Sequence, residues 1–320
     1  MNTTWASFSS RFRIPLIAAP MTAVSGFDIV NAAAAAGIGG SFPVHNAGAP
    51  AEVDRWLAGL NGLPGPAIPN LVVHKSNARL ADDLAVITAR RVPAVITSVG
   101  SPQPVVGPLH EAGILVLSDV ASMRHVERAI AAGADGLVLL TAGGGGQTGW
   151  ANPLVFARAV RRVWDGPMIL AGGVPDGASL LAALVAGYDL VYMGTPFIAT
   201  AESAAPPGWK NAVVAASIDD IELTSEFTGL PTSMIRATEP AIAPATDAGF
   251  HMSRLGASAH HRSGEASVRY SAGHSAACVD GIVTVADLVS RVERQFRAAL
   301  ETFAERSAGM SRGGATVEGH

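Results

Sequence analysis

Pro167-Met-Ile-Leu-Ala-Gly-Gly-Val-Pro-Asp-Gly-Ala-Ser-Leu-Leu-Ala-Ala-Leu-Val-Ala-Gly-Tyr-Asp-Leu-Val-Tyr-Met-Gly-Thr-Pro-Phe-Ile-Ala199 decides the fold. It opens with a short apolar run, Met168–Ala171, headed by a proline where a strand can spare its N–H. A Gly-Gly turn follows, then an Ala- and Leu-rich stretch, Gly177–Ala186. Gly187 marks a left-handed helix end, and a second apolar run, Leu190–Met193, ends in another glycine. Strand, helix and strand in so few residues spell one βαβ unit with parallel strands.

The same spelling recurs along the chain. Strands are predicted at Leu16–Ala19, Ile38–Phe42, Ile68–Val73, Ala94–Thr97, Leu115–Ser118 and Gly136–Leu140, besides the two above. Helices are predicted between them at Asp28–Ala36, Ala51–Leu60, Ala81–Arg90, Val105–Ala112, Met123–Ala132 and Pro153–Val163. Glycine precedes the fifth, sixth and eighth strands in EAGI, AAGADG and VAGYD. Eight strands alternating with helices fit a closed α/β (β/α)8 TIM barrel better than an open sheet.

After Thr200 the periodicity weakens. The domain reading is a barrel over 1–204, an irregular inserted or lid-like segment over 205–274, a segment over 275–305 packing back on the barrel, and a mobile tail over 306–320. Asn211–Ala216 reads as a short helix, and Ile218–Ser263 is rich in Gly, Pro and Thr. In Val283–Glu305 the residues Val285, Leu288, Val289, Val292 and Phe296 share one helical stripe.

Composition narrows the function. Hydrophobic residues make up 49% of 320 residues and charged ones 15%, which suits parallel strands covered on both faces and argues against disorder. The net charge of −4 leaves no basic footprint for nucleic acid. One cysteine, Cys278, excludes an internal disulfide and a thiolate metal cluster, and fits a cytoplasmic protein. The opening residues show no apolar run of the signal-peptide kind. Leu180–Thr200 is long and apolar enough for a membrane span, but Gly187, Asp189, Gly194 and Pro196 interrupt it. No metal site is legible: His260 and His261 are adjacent and diverge. Asp82-Asp83 and Asp219-Asp220 read as helix-start or surface pairs.

In a barrel, ligands meet the loops that follow the strands. Glycine is dense there: Thr141–Trp150 after the sixth strand, Ala171–Gly177 after the seventh and Met193–Phe197 after the eighth. Residues without Cβ let the backbone approach a ligand and offer N–H groups to an anion. Gly172 and Gly173, with Gly194 and Thr195 on the next strand, form the expected phosphate grip.

The chain resembles the nitronate monooxygenase (2-nitropropane dioxygenase-like) family of FMN barrels, which also holds flavin-dependent enoyl and quinone reductases. The motifs are Pro15–Met21, Pro69-Asn70, Thr141–Gly146, Ala171–Asp176, Met193–Ser203 and Tyr270–His274. The resemblance implies an FMN-dependent oxidoreductase with Ala19, Pro20, Met21 and Asn70 along the flavin, Gly144 beside it, and Gly172, Gly173, Gly194 and Thr195 on the phosphate. Its first implied reaction is oxidation of a small carbon acid, such as an alkyl nitronate, by O2. The alternatives are an NAD(P)H-dependent quinone or enoyl reductase and a flavin-binding protein without turnover. Partners are a small-molecule substrate and a redox partner, in a possible homo-oligomer, with neither nucleic acid nor membrane.

Two positions depart from the family pattern. Active members usually carry a histidine in the loop after the sixth strand, where this chain has Gly145, and an arginine is common where it has Pro196. Any base must then come from elsewhere. His74 with Lys75, just past the third strand, is the expected replacement, Gly145 leaving room for a larger substrate contacted by Gln147, Thr148 or Trp150. His45 and His274 are the other candidates. The structural alternative is that His74 caps a helix while Lys75 faces solvent.

Overall fold

The computed structural model describes residues 3–225, 229–236, 252 and 269–313, the last five by backbone alone. Eight parallel strands close on themselves: Leu16–Ala18, Gly39–Pro43, Ala67–Val72, Ala94–Ser98, Leu115–Val120, Gly136–Leu140, Met168–Ala171 and Leu190–Met193. Closure is made where Ile17 faces Gly39 on one side and Tyr192 on the other. Each strand lies within two residues of the span expected from sequence. The helix-closing glycines are also where sequence places them, with Gly113, Gly133 and Gly187 all in the left-handed region.

Side chains alternate between two apolar layers. Ile17, Ile68, Ala94, Ile96, Leu115, Leu117, Val138, Ile169 and Leu190 point into the barrel. Leu16, Leu71, Val95, Val116, Leu137, Leu139, Leu170 and Val191 face outward and meet the surrounding helices. The barrel's lower end is stoppered by the N-terminal helix Trp5–Ser9, capped by the Thr4 side chain. Its Phe8 is fully buried among the inward residues, flanked by Trp5 and Phe12.

The long apolar stretch is not a span. It divides into the helix Gly177–Val185, the eighth strand and the short helix Thr195–Ile198, and no described helix is long and apolar enough to cross a membrane. The last helix, Val285–Gly313, runs past the expected boundary at Glu305 into the stretch read as tail. Its buried stripe of Val285, Leu288, Val289 and Val292 joins the outer apolar layer, with Phe296 packed against it. The approach is close enough that a Cβ on Gly177 would lie 2.1 Å from the Val292 carbonyl oxygen. Only glycine fits there. Glu293 ties this helix to Arg13 and pairs with Arg297 one turn further along it.

Within 205–274, Pro207–Ala215 is helical, and Ile221–Thr224 pairs antiparallel with Thr232–Ile235. The latter strand also pairs with Gly146–Gln147, so the segment is fastened to the loop after the sixth barrel strand. Most of Ile218–Ser263, with His260 and His261, lies outside the described residues. Asp82 and Asp83, read as a helix-start or surface pair, stand in the first turn of the helix Leu80–Arg90, but Asp83 is buried and ion-paired with Arg79 at 2.9 Å. Arg79 also donates to the Ala47 carbonyl, so the pair joins two loops instead of facing water.

Phe8→Ala should destabilise the protein by about 3–5 kcal/mol, the usual cost of deleting a buried aromatic ring. Urea denaturation measures it, and a loss under about 1 kcal/mol would show that the stopper is dispensable.

Candidate active site

The inward alternation carries on to the upper end of every strand, and there it changes character. Above the apolar layers stand Ala19, Pro43, Asn70, Ser98, Asp119, Leu140, Ala171 and Tyr192, and all eight line one cavity. Its walls are the loops that follow the strands, and its outer rim includes Leu230 and Thr232 from the inserted segment.

Local bonds hold the wall residues in place. The Ser25 hydroxyl accepts from Met21 N at 3.0 Å and donates to the Ala19 carbonyl at 3.1 Å. Asn46 donates to the carbonyls of Met21 and Ser25. Ser98 donates to the Asn70 side-chain oxygen at 3.2 Å, which leaves the Asn70 amide N–H groups for a ligand. Thr195 accepts from Gly273 N at 2.9 Å and keeps its own hydroxyl proton to donate. Val99, at the cavity edge, has φ 57, a conformation that a β-branched residue adopts only under strain.

The glycines divide by cause. Gly172 is required by packing, because a Cβ there would lie 2.8 Å from the Thr141 carbonyl. Gly173 has φ +70 and nothing closer than 3.8 Å, so its missing side chain leaves open space at the cavity wall. At Gly194 a Cβ would touch Met21 Sδ at 3.4 Å and Ala19 Cβ at 3.5 Å. A longer side chain would therefore displace the Ala19–Met21 wall.

Of the residues singled out by sequence, Ala19, Pro20, Met21, Asn70, Gly144, Gln147, Gly172, Gly173, Gly194 and Thr195 come together on this cavity. His74 and Lys75 are not among its lining residues. The third strand ends at Val72, whose carbonyl accepts from Asn77, and the intervening turn directs His74 Nδ1 to Ser76 at 2.8 Å. Lys75 is exposed. Trp150 is 80% exposed and outside the lining, so it neither packs the loop nor faces a ligand.

Gly145 does not leave room. A Cβ on it would lie 2.7 Å from Gly273 N and 2.9 Å from the Ala272 carbonyl carbon, so its side-chain space is filled by the segment before His274. The histidine on the wall is His45, the lesser of the sequence candidates. Its Nε2 pairs with the Thr22 hydroxyl at 3.1 Å and its Nδ1 is buried without a partner. Burial, then the Arg79 charge, holds its imidazole down at about 4, so it is neutral at pH 7.

Two lining residues escaped the sequence reading. Asp119 touches the cavity, but its Oδ1 is enclosed and has no hydrogen-bond partner, and burial pushes its carboxyl up to about 8. The Tyr192 hydroxyl is buried and unpartnered too, and burial followed by the nearby Asp119 raises it well above the usual phenol range. Ending the fifth strand at Ser118 hid Asp119, since aspartate is poor in strands. The parity of Leu115 and Leu117 was the available signal. Asp119 also borders a smaller side chamber, reached between the loops after the fourth and fifth strands and lined by His125 and Arg128.

Gly145→Ala should lower the thermal midpoint by the several degrees that about 1–3 kcal/mol of overpacking implies. Gly107→Ala, within a helix and with open space around it, should raise or preserve it. Equal midpoints for both variants in a thermal melt would mean the 145 site is not closed.

Comparison with known proteins agrees with this geometry. The family model described as Nitronate monooxygenase matches residues 68–294. A nitronate monooxygenase of Paraburkholderia phytofirmans is 28% identical over 77% of this chain and 73% of its own. A 5-hydroxy-7a-methyl-1-oxo-octahydro-indene-4-carboxyl-CoA dehydrogenase of Rhodococcus jostii is 30% identical over 51% of this chain. The alignments cover 45% of that relative and 39% of its Mycobacterium tuberculosis counterpart, less than half of each. In fold, the chain matches FabK from Thermotoga maritima with a TM-score of 0.79 at 24% identity, over 96% of this chain and 99% of that one. It matches a nitroalkane oxidase from Streptomyces ansochromogenes with 0.75 at 24%, over 92% and 99%. A barrel whose glycine-lined mouth carries the family's motifs in order, matched by the family model over most of its length, belongs to the nitronate monooxygenase family of FMN-dependent TIM-barrel oxidoreductases.

Proposed function

We propose that the chain binds FMN in the barrel mouth and uses it to oxidise a small carbon acid that arrives already ionised, an alkyl nitronate being the model substrate, with O2 as the electron acceptor. The observation that carries this reading is the chemistry of the described lining. It holds no lysine or arginine, one carboxyl at its floor, and one histidine whose imidazolium, held down at about 4, leaves the neutral ring a weak base. Among these residues nothing on the open side can strip a proton from a neutral carbon acid near neutrality. A nitronate has lost that proton before it binds.

The residues fit the cofactor. Gly173 leaves the space a phosphate needs, and the Thr195 hydroxyl, with backbone N–H groups at Gly173, Gly194 and Thr195, can donate to it. Ala19–Met21 and the free Asn70 amide would line the ring. FMN, when bound, supplies the two-electron chemistry. The protein's own part is to orient the substrate through Gln147 and Thr232 and to exclude water with Leu230 and Trp209. His74 and Lys75, which lie off the lining, would then not touch the reacting atoms.

A second reading is supported by the same lining. Hydride transfer from NAD(P)H to a quinone or activated alkene also dispenses with a base on the open side. The two separate on one experiment. Protein loaded with FMN is mixed anaerobically with an alkyl nitronate or with NAD(P)H, and the visible flavin band is followed. Bleaching by nitronate is expected; bleaching by NAD(P)H alone would favour the reductase, and no bleaching by either would point to a flavin-binding protein without this turnover. Before that, an absorbance titration should show FMN binding, weakened at least about tenfold by Gly173→Leu or Gly194→Leu, a loss of about 1.4 kcal/mol. A colourless protein that ignores added FMN would remove the proposal.

A further inference from the structure

We propose that Asp119 is a proton-holding residue of the flavin site: its carboxyl takes up one proton when negative charge enters the pocket above it, and releases that proton when the charge leaves. The inference rests on the FMN reading of the cavity and concerns a residue that the family motifs do not include.

Position comes first. The phosphate grip lies on the seventh and eighth strands, and Ala19–Met21 and Asn70 lie on the first and third. A ligand that reaches both sets would lie over the floor of the same cavity, to which Asp119, the last inward residue of the fifth strand, contributes. The substrate side is marked by Gln147, Leu230 and Thr232, and Gln147 also lines the side chamber that Asp119 borders. Asp119 therefore lies at the floor beneath the cofactor site and beside the substrate side, within the field of negative charge placed on either.

The surroundings of the carboxyl come next. An ionised carboxylate at a closed floor needs cations or hydrogen-bond donors. Asp119 Oδ1 has no hydrogen-bond donor among the described residues, and the described lining of the main cavity holds no lysine or arginine, the nearest cation being Arg128 in the side chamber. Burial pushes the group up to about 8, so it is an uncharged acid at neutral pH and a carboxylate above. Negative charge arriving nearby shifts it further in the same direction. The coupling is reciprocal: a protonated Asp119 favours that charge, and an ionised one opposes it.

Other titrating groups around the floor are separable. Tyr192, from the eighth strand, ionises far above this range, and His45, after the second, far below it. His125 and Arg128, on the helix Met123–Ala132, line the side chamber; burial and the charges of Arg128 and Arg124 lower His125. The balance is simple. Dithionite would supply two electrons to the bound FMN with the same protons that free FMN takes up, one further solvent proton bonds to the Asp119 carboxylate oxygen, and no bond to carbon changes.

The test uses the FMN-loaded full chain. Midpoint potentials of wild type, Asp119→Asn and Tyr192→Phe are measured by dye equilibration from about pH 6 to 10, bracketing the titration. Above about pH 8 the wild type should show a slope steeper than that of Asp119→Asn by one proton per two electrons. Tyr192→Phe should keep the extra proton. Equal slopes in wild type and Asp119→Asn would overturn the inference. If Asp119→Asn fails to fold or to hold FMN, protons taken up by the wild type on dithionite reduction at about pH 9 are counted in weak buffer against free FMN. One more than free FMN supports the proposal, and the same number overturns it. Absence of FMN binding in the preceding absorbance titration would fell both readings, whereas equal proton counts with FMN bound would fell this one alone.

Discussion

The structure depends on one constraint, the two-residue alternation of side chains along eight parallel strands whose sheet closes on itself. Closure turns every other side chain toward a common axis. Lower down that axis the inward residues are apolar and interlock around Phe8. At the upper end the same alternation delivers Asn70, Ser98, Asp119 and Tyr192 to one plane. The floor of the site is thus the last layer of the core's own pattern.

The walls obey a different rule. They are loops, and their residues are fixed by what surrounds them instead of by a period. The loop after the sixth strand is joined to Thr232–Ile235 by strand pairing, to Gly273 by close packing and to Ala171 by hydrogen bonds from Thr141. This explains why Gly145 is more than a lost histidine. The segment Ala272–His274 occupies the space a side chain would need, so the loop and the late segment form one unit.

Legibility in the sequence follows the same division. Strands, helices and their glycine ends could be read because period and turn chemistry are local, and the glycines at Gly173 and Gly194 could be read because ligand approach needs a missing Cβ. His74 could not be placed. Its position depends on Asn77 reaching back to the Val72 carbonyl, a bond between residues whose spacing carries no signal. Asp119 was obscured by its own polarity, since a charged residue reads as a strand end. Where Leu115 and Leu117 already point inward, an aspartate two residues on is better read as a buried group at the site than as the start of a loop.

The side chamber between the loops after the fourth and fifth strands gives the floor of the site a second flank. With Phe8 and its neighbours stoppering the lower end, a single mouth would make cofactor, substrate and solvent queue at one door. The chamber reaches Asp119 from the flank, past His125 and Arg128. Asp119 Oδ1 stays enclosed all the same, so the floor has a polar flank beside its mouth without being opened to water.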